Sequence, residues 1–279
     1  MCNRQHRAAV RLESKFALRV KQLARKLHCT NFHVYLSVLQ ALIFRLLPET
    51  KEFFIGIADS NRVDKNFINT LGCLVNLLPI KFNRTESYTF SNAVKATRNK
   101  VYAALEHSKL PFDVLLNELG TIRSGYYSPI FQVCMDYRQG DQEHISLAGV
   151  NAEVAFNNSS TGYDLQLEVI DTAAGESLVV MKVQDALYSQ RHAELLLSTY
   201  VNVMEQFIQS PSGDILLTSP SIWPQKDIDY AFNIGKGEFR PNSLAIWVAY
   251  LTPNRSRYRA SMASHYRSPR RRNYPSASC

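Results

Sequence analysis

Between Phe53 and Pro79 the chain reads FFIGIADSNRVDKNFINTLGCLVNLLP. The two apolar runs, FFIGIA and CLVNLLP, each read as a strand buried in a core. Buried strands need cover, so this pair ties the chain to a sheet packed beneath other elements. Polar residues nevertheless punctuate both runs. Asp59-Ser60-Asn61-Arg62 closes the first, and Asn76 sits inside the second. Asp59 and Asn61 fit a turn after the strand, and Asn76 fits a buried amide satisfied by nearby backbone. The same positions are also candidates for a site.

The cover is legible on either side. Glu13–His28 spaces Phe16, Val20, Leu23, Ala24 and Leu27 as a helix with one buried face. Thr30 can cap a second helix, NFHVYLSVLQALIFRLL, apolar nearly all round and therefore deep in the core. Thr89–His107 is amphipathic, with Phe90, Val94, Val101 and Leu105 opposite Lys95, Arg98 and Lys100. Pro111 opens a short helix at Val114–Leu119, and Gly120 ends it. From Pro129 the pattern turns to strands: IFQVCMDYR, VNAEVAF, YDLQLEVID and SLVVMKVQ, with turns at Asn157–Gly162 and Ala173–Glu176. Ser189–Gln209 returns to a long helix. The expected fold is a mixed α/β sheet domain ending near Leu217.

Several chemistries drop out. No G-x-S-x-G elbow, Walker loop or H-E-x-x-H sequence occurs. Gly235-Lys236-Gly237 lacks the strand–helix setting of a phosphate loop. Ser60 follows a strand, whereas a phosphopantetheine-carrying serine needs a helix start. His33 lies in an apolar helix and reads as a core or capping residue. The five cysteines form no C-x-x-C pair, and Cys73 and Cys134 read as small buried hydrophobes. No apolar run approaches the roughly 20 residues of a membrane span, and no signal-like segment opens the chain, so a cytoplasmic location is expected.

Charge divides the sequence sharply. Of 32 basic and 24 acidic residues, eight arginines and no acid fall in 240–279. Residues 1–239 are therefore balanced, and the net charge of +8 belongs to the tail. That tail, Arg- and Ser-rich without periodicity, reads as disordered.

Four co-linear segments, FFIGIADSNR, LGCLVNLLPIKF, HSKLPFDVLLNELG and SPIFQVCMDYRQG, resemble the later core motifs of nonribosomal peptide synthetase condensation domains. The phrasing of Lys100–Leu105 and Pro111–Leu116 is closest to fungal hybrids of polyketide synthase and peptide synthetase. The resemblance runs from about His6 to Gly237. It implies a lobe similar to chloramphenicol acetyltransferase, one of two that enclose a tunnel for two phosphopantetheine arms. These arms belong to partner acyl or peptidyl carrier proteins, and no cofactor is expected to be held covalently. An amine on one arm attacks the acyl thioester on the other, giving an amide. By the same resemblance Asp59, Asn61, Arg62 and Asn76 lie near the tunnel or lobe junction, with Arg62 paired to a carboxylate of the first lobe.

The family's His-His-x-x-x-Asp-Gly motif, whose second histidine positions or deprotonates the amine, does not occur in the 279 residues. The expectation is that residues 1–239 form the second lobe of a partial condensation domain, with 240–279 unrelated to the family. Such a fragment would be inactive alone or one part of a split enzyme. It holds no catalytic residue of its own and no metal, and it needs a carrier protein or the first lobe as partner. A carrier-docking module is the alternative. A nucleic-acid binder acting through the Arg-rich tail stands third.

Overall fold

The computed structural model describes residues 4–62, 70–84, 89–121, 128–140, 144–147, 149–153, 162–210 and 214–223. Gly235–Gly237, most of the Asn157–Gly162 turn and the 240–279 tail lie outside the described residues. In chain order the elements begin with β1 (Gln5–Leu12), α1 (Ser14–Lys26), α2 (Asn31–Leu46), β2 (Glu52–Asp59) and β3 (Asn76–Asn83). Next come α3 (Phe90–Glu106), α4 (Phe112–Glu118) and β4 (Val133–Gln139). The chain continues through β5 (His144–Leu147), β6 (Val150–Glu153), β7 (Leu165–Asp171), β8 (Ser177–Gln184) and α5 (Gln190–Gln209).

Six strands form a mixed sheet in the order β1-β8-β7-β4-β2-β3, and β5 and β6 pair separately. β2, β4 and β7 run parallel at its centre, and β1, β8 and β3 join antiparallel. Parallel strands require covered faces and read as continuous apolar runs. That is how FFIGIA, FQVCM and LQLEV differ from an alternating surface strand.

One strand was not expected. β1, QHRAAVRL, pairs with β8 along all eight residues. Its outward Arg7 and Arg11 and inward Ala8 hide the usual alternation of large apolar and polar residues. β3 begins later than CLVNLLP suggests. Asn76 stands opposite Asp59, the last residue of β2, so no partner remains for Cys73–Val75. Cys73 is consequently exposed, not buried; Cys134 is buried as expected, and burial pushes its thiol up to about 12.

Register decides which residues meet the helices. Ile55, Ile57, Leu78, Ile80, Phe82, Met135, Leu167, Val169, Val179 and Met181 share one face and join α1, α2, α3 and α5 in a single core. α2 lies at its heart, buried from His33 to Phe44. Phe90 of α3 stacks on Phe207 of α5, ring centres 4.0 Å apart. Ser37 Oγ donates to the His33 carbonyl at 2.7 Å and lies 3.0 Å from Thr97 Oγ1, so buried hydroxyls of α2 and α3 meet in one hydrogen-bonded group.

The opposite face is covered differently. Gly56 lies beneath the Phe131 ring, where an added Cβ would come within 2.1 Å of a ring carbon. Phe131 is flanked by Phe112 of α4 and Tyr163, each ring centre 5.5 Å away. A tight turn delivers it: the Phe131 N–H donates to the Pro129 carbonyl at 2.8 Å, across Ile130 at φ 69°. A β-branched residue strains there, so the aromatic contacts and the bond from Gln132 Nε2 to the Ser128 carbonyl must hold the turn.

Beside this aromatic cover lies an ion network. Glu168, only 6% exposed, accepts from Arg138 at 2.6 Å and Lys182 at 2.9 Å, and Arg138 also reaches Asp136 at 2.7 Å. A buried carboxylate is tolerable only with such partners, and removing its charge strands them. Glu168→Gln is expected to lower unfolding stability by about 3 kcal/mol, read as an earlier urea midpoint at unchanged slope. An unchanged midpoint would show that the network carries no net stability.

Candidate functional site

One end of the sheet carries the expected polar residues. The parallel strands β2, β4 and β7 finish there with Asp59, Gln139 and Asp171, and the antiparallel β3 and β8 begin there with Asn76 and Ser177. β2 pairs with β4 only as far as Ile57 and Met135, whereas β4 and β7 stay paired to Gln139 and Asp171. β2 and β4 therefore part at their carboxyl ends. In open α/β sheets, ligands bind outside such ends.

Three of the expected residues form one device. The Asn61 N–H donates to Asp59 Oδ1 at 3.2 Å, and Asn61 takes φ 52°, so the chain leaves β2 through a turn held by the Asp59 side chain. Arg62 then donates to the carbonyls of Thr70 at 2.8 Å and Gly72 at 2.9 Å. The guanidinium fork thus clamps the segment leading into β3. Leu71, between the clamped carbonyls, is 99% exposed, and Val75 is 56% exposed. Asp59 Oδ2 is shielded from water and has no hydrogen-bond partner among the described residues.

Asn76, opposite Asp59 and buried, is the amide satisfied by backbone that the strand pattern allowed. Its Nδ2 donates to the carbonyls of Ser108 and Leu110, both at 2.8 Å, and its Oδ1 accepts from the N–H groups of Leu77 and Phe112, both at 3.0 Å. One side chain thereby staples the α3–α4 connection to β3 and sets the start of α4. Aspartate would turn an acceptor toward two carbonyls. Asn76→Asp is expected to destabilise by about 3 kcal/mol and to speed amide exchange in α4 more than in α5. Equal acceleration in both helices would show that α4 does not depend on the staple.

A second polar cluster escaped the sequence reading. Asp171 accepts from Asn31 Nδ2 at 2.8 Å, Tyr137 Oη at 2.7 Å, Ser177 Oγ at 2.7 Å and Tyr35 Oη at 3.4 Å. Burial, reinforced by the Asp171 carboxylate, raises both phenols far above their usual range. Asp171 reads as the polar end of the strand YDLQLEVID, and Asn31 and Tyr35 are lost within an apolar helix. Only the strand order brings them together. All four donors are spent on one carboxylate, so the cluster ties α2 to β4, β7 and β8.

His33 caps α2. Its Nδ1 accepts the Thr30 N–H at 3.1 Å, which places the ring proton on Nε2. Burial, with a lesser push from Arg98, lowers its pKa from 6.5 to about 4. The folded state favours the neutral ring, so this contribution is complete above pH 6.5 and fades as pH falls toward 4. Glutamine can accept the same N–H. His33→Gln is expected to flatten the loss of stability between pH 6.5 and 4, measured by urea unfolding; an unchanged slope would place the titration elsewhere.

Among the described residues no group of three or more His, Cys, Asp or Glu could hold a metal ion, and no single helix is long and apolar enough to cross a membrane.

Comparison with known proteins places this architecture. The family model for the condensation domain matches residues 3–219. The trichosetin synthetase PKS-NRPS1 of Gibberella fujikuroi is 44% identical over 240 residues, covering 85% of this chain and 6% of that protein. The equisetin synthetase of Fusarium heterosporum is 42% identical over 234 residues, 83% of this chain and again 6% of the relative. The chain thus spans a small fraction of the curated relatives it matches. Among solved structures, the condensation domain from the Monacolin K polyketide synthase MokA superposes with a TM-score of 0.70 at 30% identity, covering 78% of this chain and 50% of that one. The six-stranded mixed sheet with its helices is the chloramphenicol-acetyltransferase-like fold of these domains. On the family match and the identity to the hybrid synthetases, the chain belongs to the condensation-domain family.

Proposed function

We propose that residues 1–239 are the C-terminal lobe of a condensation domain from a hybrid polyketide synthase–nonribosomal peptide synthetase, with 240–279 outside that domain. The whole domain would join a polyketide acyl group to an amino acid, each delivered as a thioester on the phosphopantetheine arm of a carrier protein. The amine nitrogen attacks the acyl carbonyl, the carbon–nitrogen bond forms, and the carbon–sulfur bond breaks to release the arm's thiol. The observation that carries this reading is the fold match at 30% identity over half of a solved condensation-domain chain.

Amide formation needs a group to position or deprotonate the amine and a frame holding both substrates. The family's histidine motif does not occur in these 279 residues, which supports assigning the base to a first lobe. In this reading the chain contributes no catalytic residue. Asp59, Asn61 and Arg62 shape the lobe junction by fixing the segment that carries Leu71 and Val75, and Asn76 holds α4 beside it. The exposed apolar side chains of that segment suit a surface made to be covered.

The test combines the chain with an acyl-loaded carrier and an aminoacyl-loaded carrier, with and without the preceding lobe as a separate polypeptide. Amide product is expected only when both lobes are present. Product from this chain alone would overturn the assignment of the base to the other lobe. Absence of product from the paired lobes would overturn the amide-forming reading itself.

A further inference from the structure

α1 carries its charge against the physics of an isolated helix. Its thirteen residues include Lys15, Arg19, Lys21, Arg25 and Lys26 and no acid, and all five cations are exposed. Lys15 and Arg19 lie one turn apart, as do Lys21 and Arg25, and like charges at that spacing repel. Arg25 and Lys26 in the last turn complement the helix dipole, but Lys15 in the first turn opposes it. Among the described residues, Lys15, Arg19, Lys21 and Arg25 have no ion-pair partner. Residues 1–239 are balanced overall, so this concentration is local.

The basic surface continues past the helix. Arg98 of α3 donates to the His28 carbonyl at 3.0 Å, just beyond the end of α1. Lys95, one turn before it on α3, is exposed. In the middle of the α1 stripe stands Leu18, 52% exposed, one turn from both Lys15 and Lys21. The buried side of α1 is spent on the core through Val20, Leu23 and Ala24, leaving no apolar face to enter a bilayer.

We propose that the outer face of α1, extended by Lys95 and Arg98, docks an acidic protein surface that presents apolar side chains to Leu18. An apolar anchor within a charged rim is the pattern of a protein interface, whereas a phosphate backbone is met by cations without such an anchor. In the relatives this stretch is 6% of a far longer polypeptide. An acidic domain carried on such a longer polypeptide would meet the helix at high effective concentration, so a weak, salt-sensitive contact suffices. The amide-forming reading stands or falls on product formation, this one on binding.

The test uses the full 279-residue chain and fluorescence anisotropy at 50 and 300 mM NaCl. The probes are a 20-residue amphipathic helix of Glu and Leu, poly-L-glutamate of equal length and a 20-nucleotide single-stranded DNA. Vesicles of phosphatidylglycerol are assayed by co-sedimentation. The Glu/Leu helix is expected to bind about fivefold tighter than poly-L-glutamate, an advantage that Leu18→Ala removes. The double variant Lys21→Glu/Arg25→Glu should weaken it about tenfold or more, and the higher salt should weaken it further. Replacing Arg270, Arg271 and Arg272 by Ser should leave it unchanged. These positions on α1 are exposed, and an unaltered circular dichroism melt with a parallel Lys15→Glu/Arg19→Glu variant separates lost binding from lost folding. Tighter binding of DNA or vesicles, dependence on the three tail arginines, indifference to the α1 charge reversals, or no binding of the Glu/Leu helix would each overturn the proposal.

Discussion

Three parallel strands at the centre of the sheet are the constraint on which the rest depends. β2, β4 and β7 are flanked by strands on both sides, so none has a free edge and both faces need cover. Parallel neighbours also cannot be joined by a tight turn. Between β2 and β4 the chain first adds the antiparallel edge strand β3 and then leaves the sheet through α3 and α4. The helix-side core follows, with α2 buried nearly all round because strands and helices together enclose it. On the opposite face the cover is thinner. One aromatic ring lies on Gly56, and a carboxylate beside it is held by two cations.

The same topology gathers the polar groups. Parallel strands finish at one end of a sheet, and their antiparallel neighbours start there, so Asp59, Asn76, Asp171 and Ser177 converge although they span more than a hundred residues. Their tasks differ. Asp171 and Asn76 are saturated with hydrogen bonds and act as fasteners, one for α2 and one for α4. Asp59 keeps one oxygen without a partner among the described residues, beside a clamped segment whose apolar side chains face water. Saturated groups explain stability. The proposed lobe junction rests on the other kind, an incompletely satisfied group next to exposed apolar surface.

Much of the fold was legible because long periodic segments speak for themselves. The helices at Glu13–His28, Thr89–His107 and Ser189–Gln209 each emerged within a few residues of their expected bounds. β1 was missed because arginines and alanines blur its alternation, and its strand character comes from β8. Cys73 was misplaced because an apolar run says nothing about where its partner strand stops. At the site, the turn after β2 and the buried amide of Asn76 were both readable as local possibilities. Three of the four backbone groups that Asn76 binds, 32 to 36 positions away, were not.

By itself the sequence determined the mixed α/β class, the succession of helices and strands and, through four co-linear motifs, the family. Each of these depends on local periodicity or on short residue strings. Only the tertiary structure decided that Arg62 would clamp its own chain, that Asp171 would gather four donors, and that Gly56 would lie under Phe131. Those outcomes depend on strand order and register. A one-residue slip in pairing sends every side chain to the other face of the sheet, and no local pattern encodes which distant strand will stand alongside.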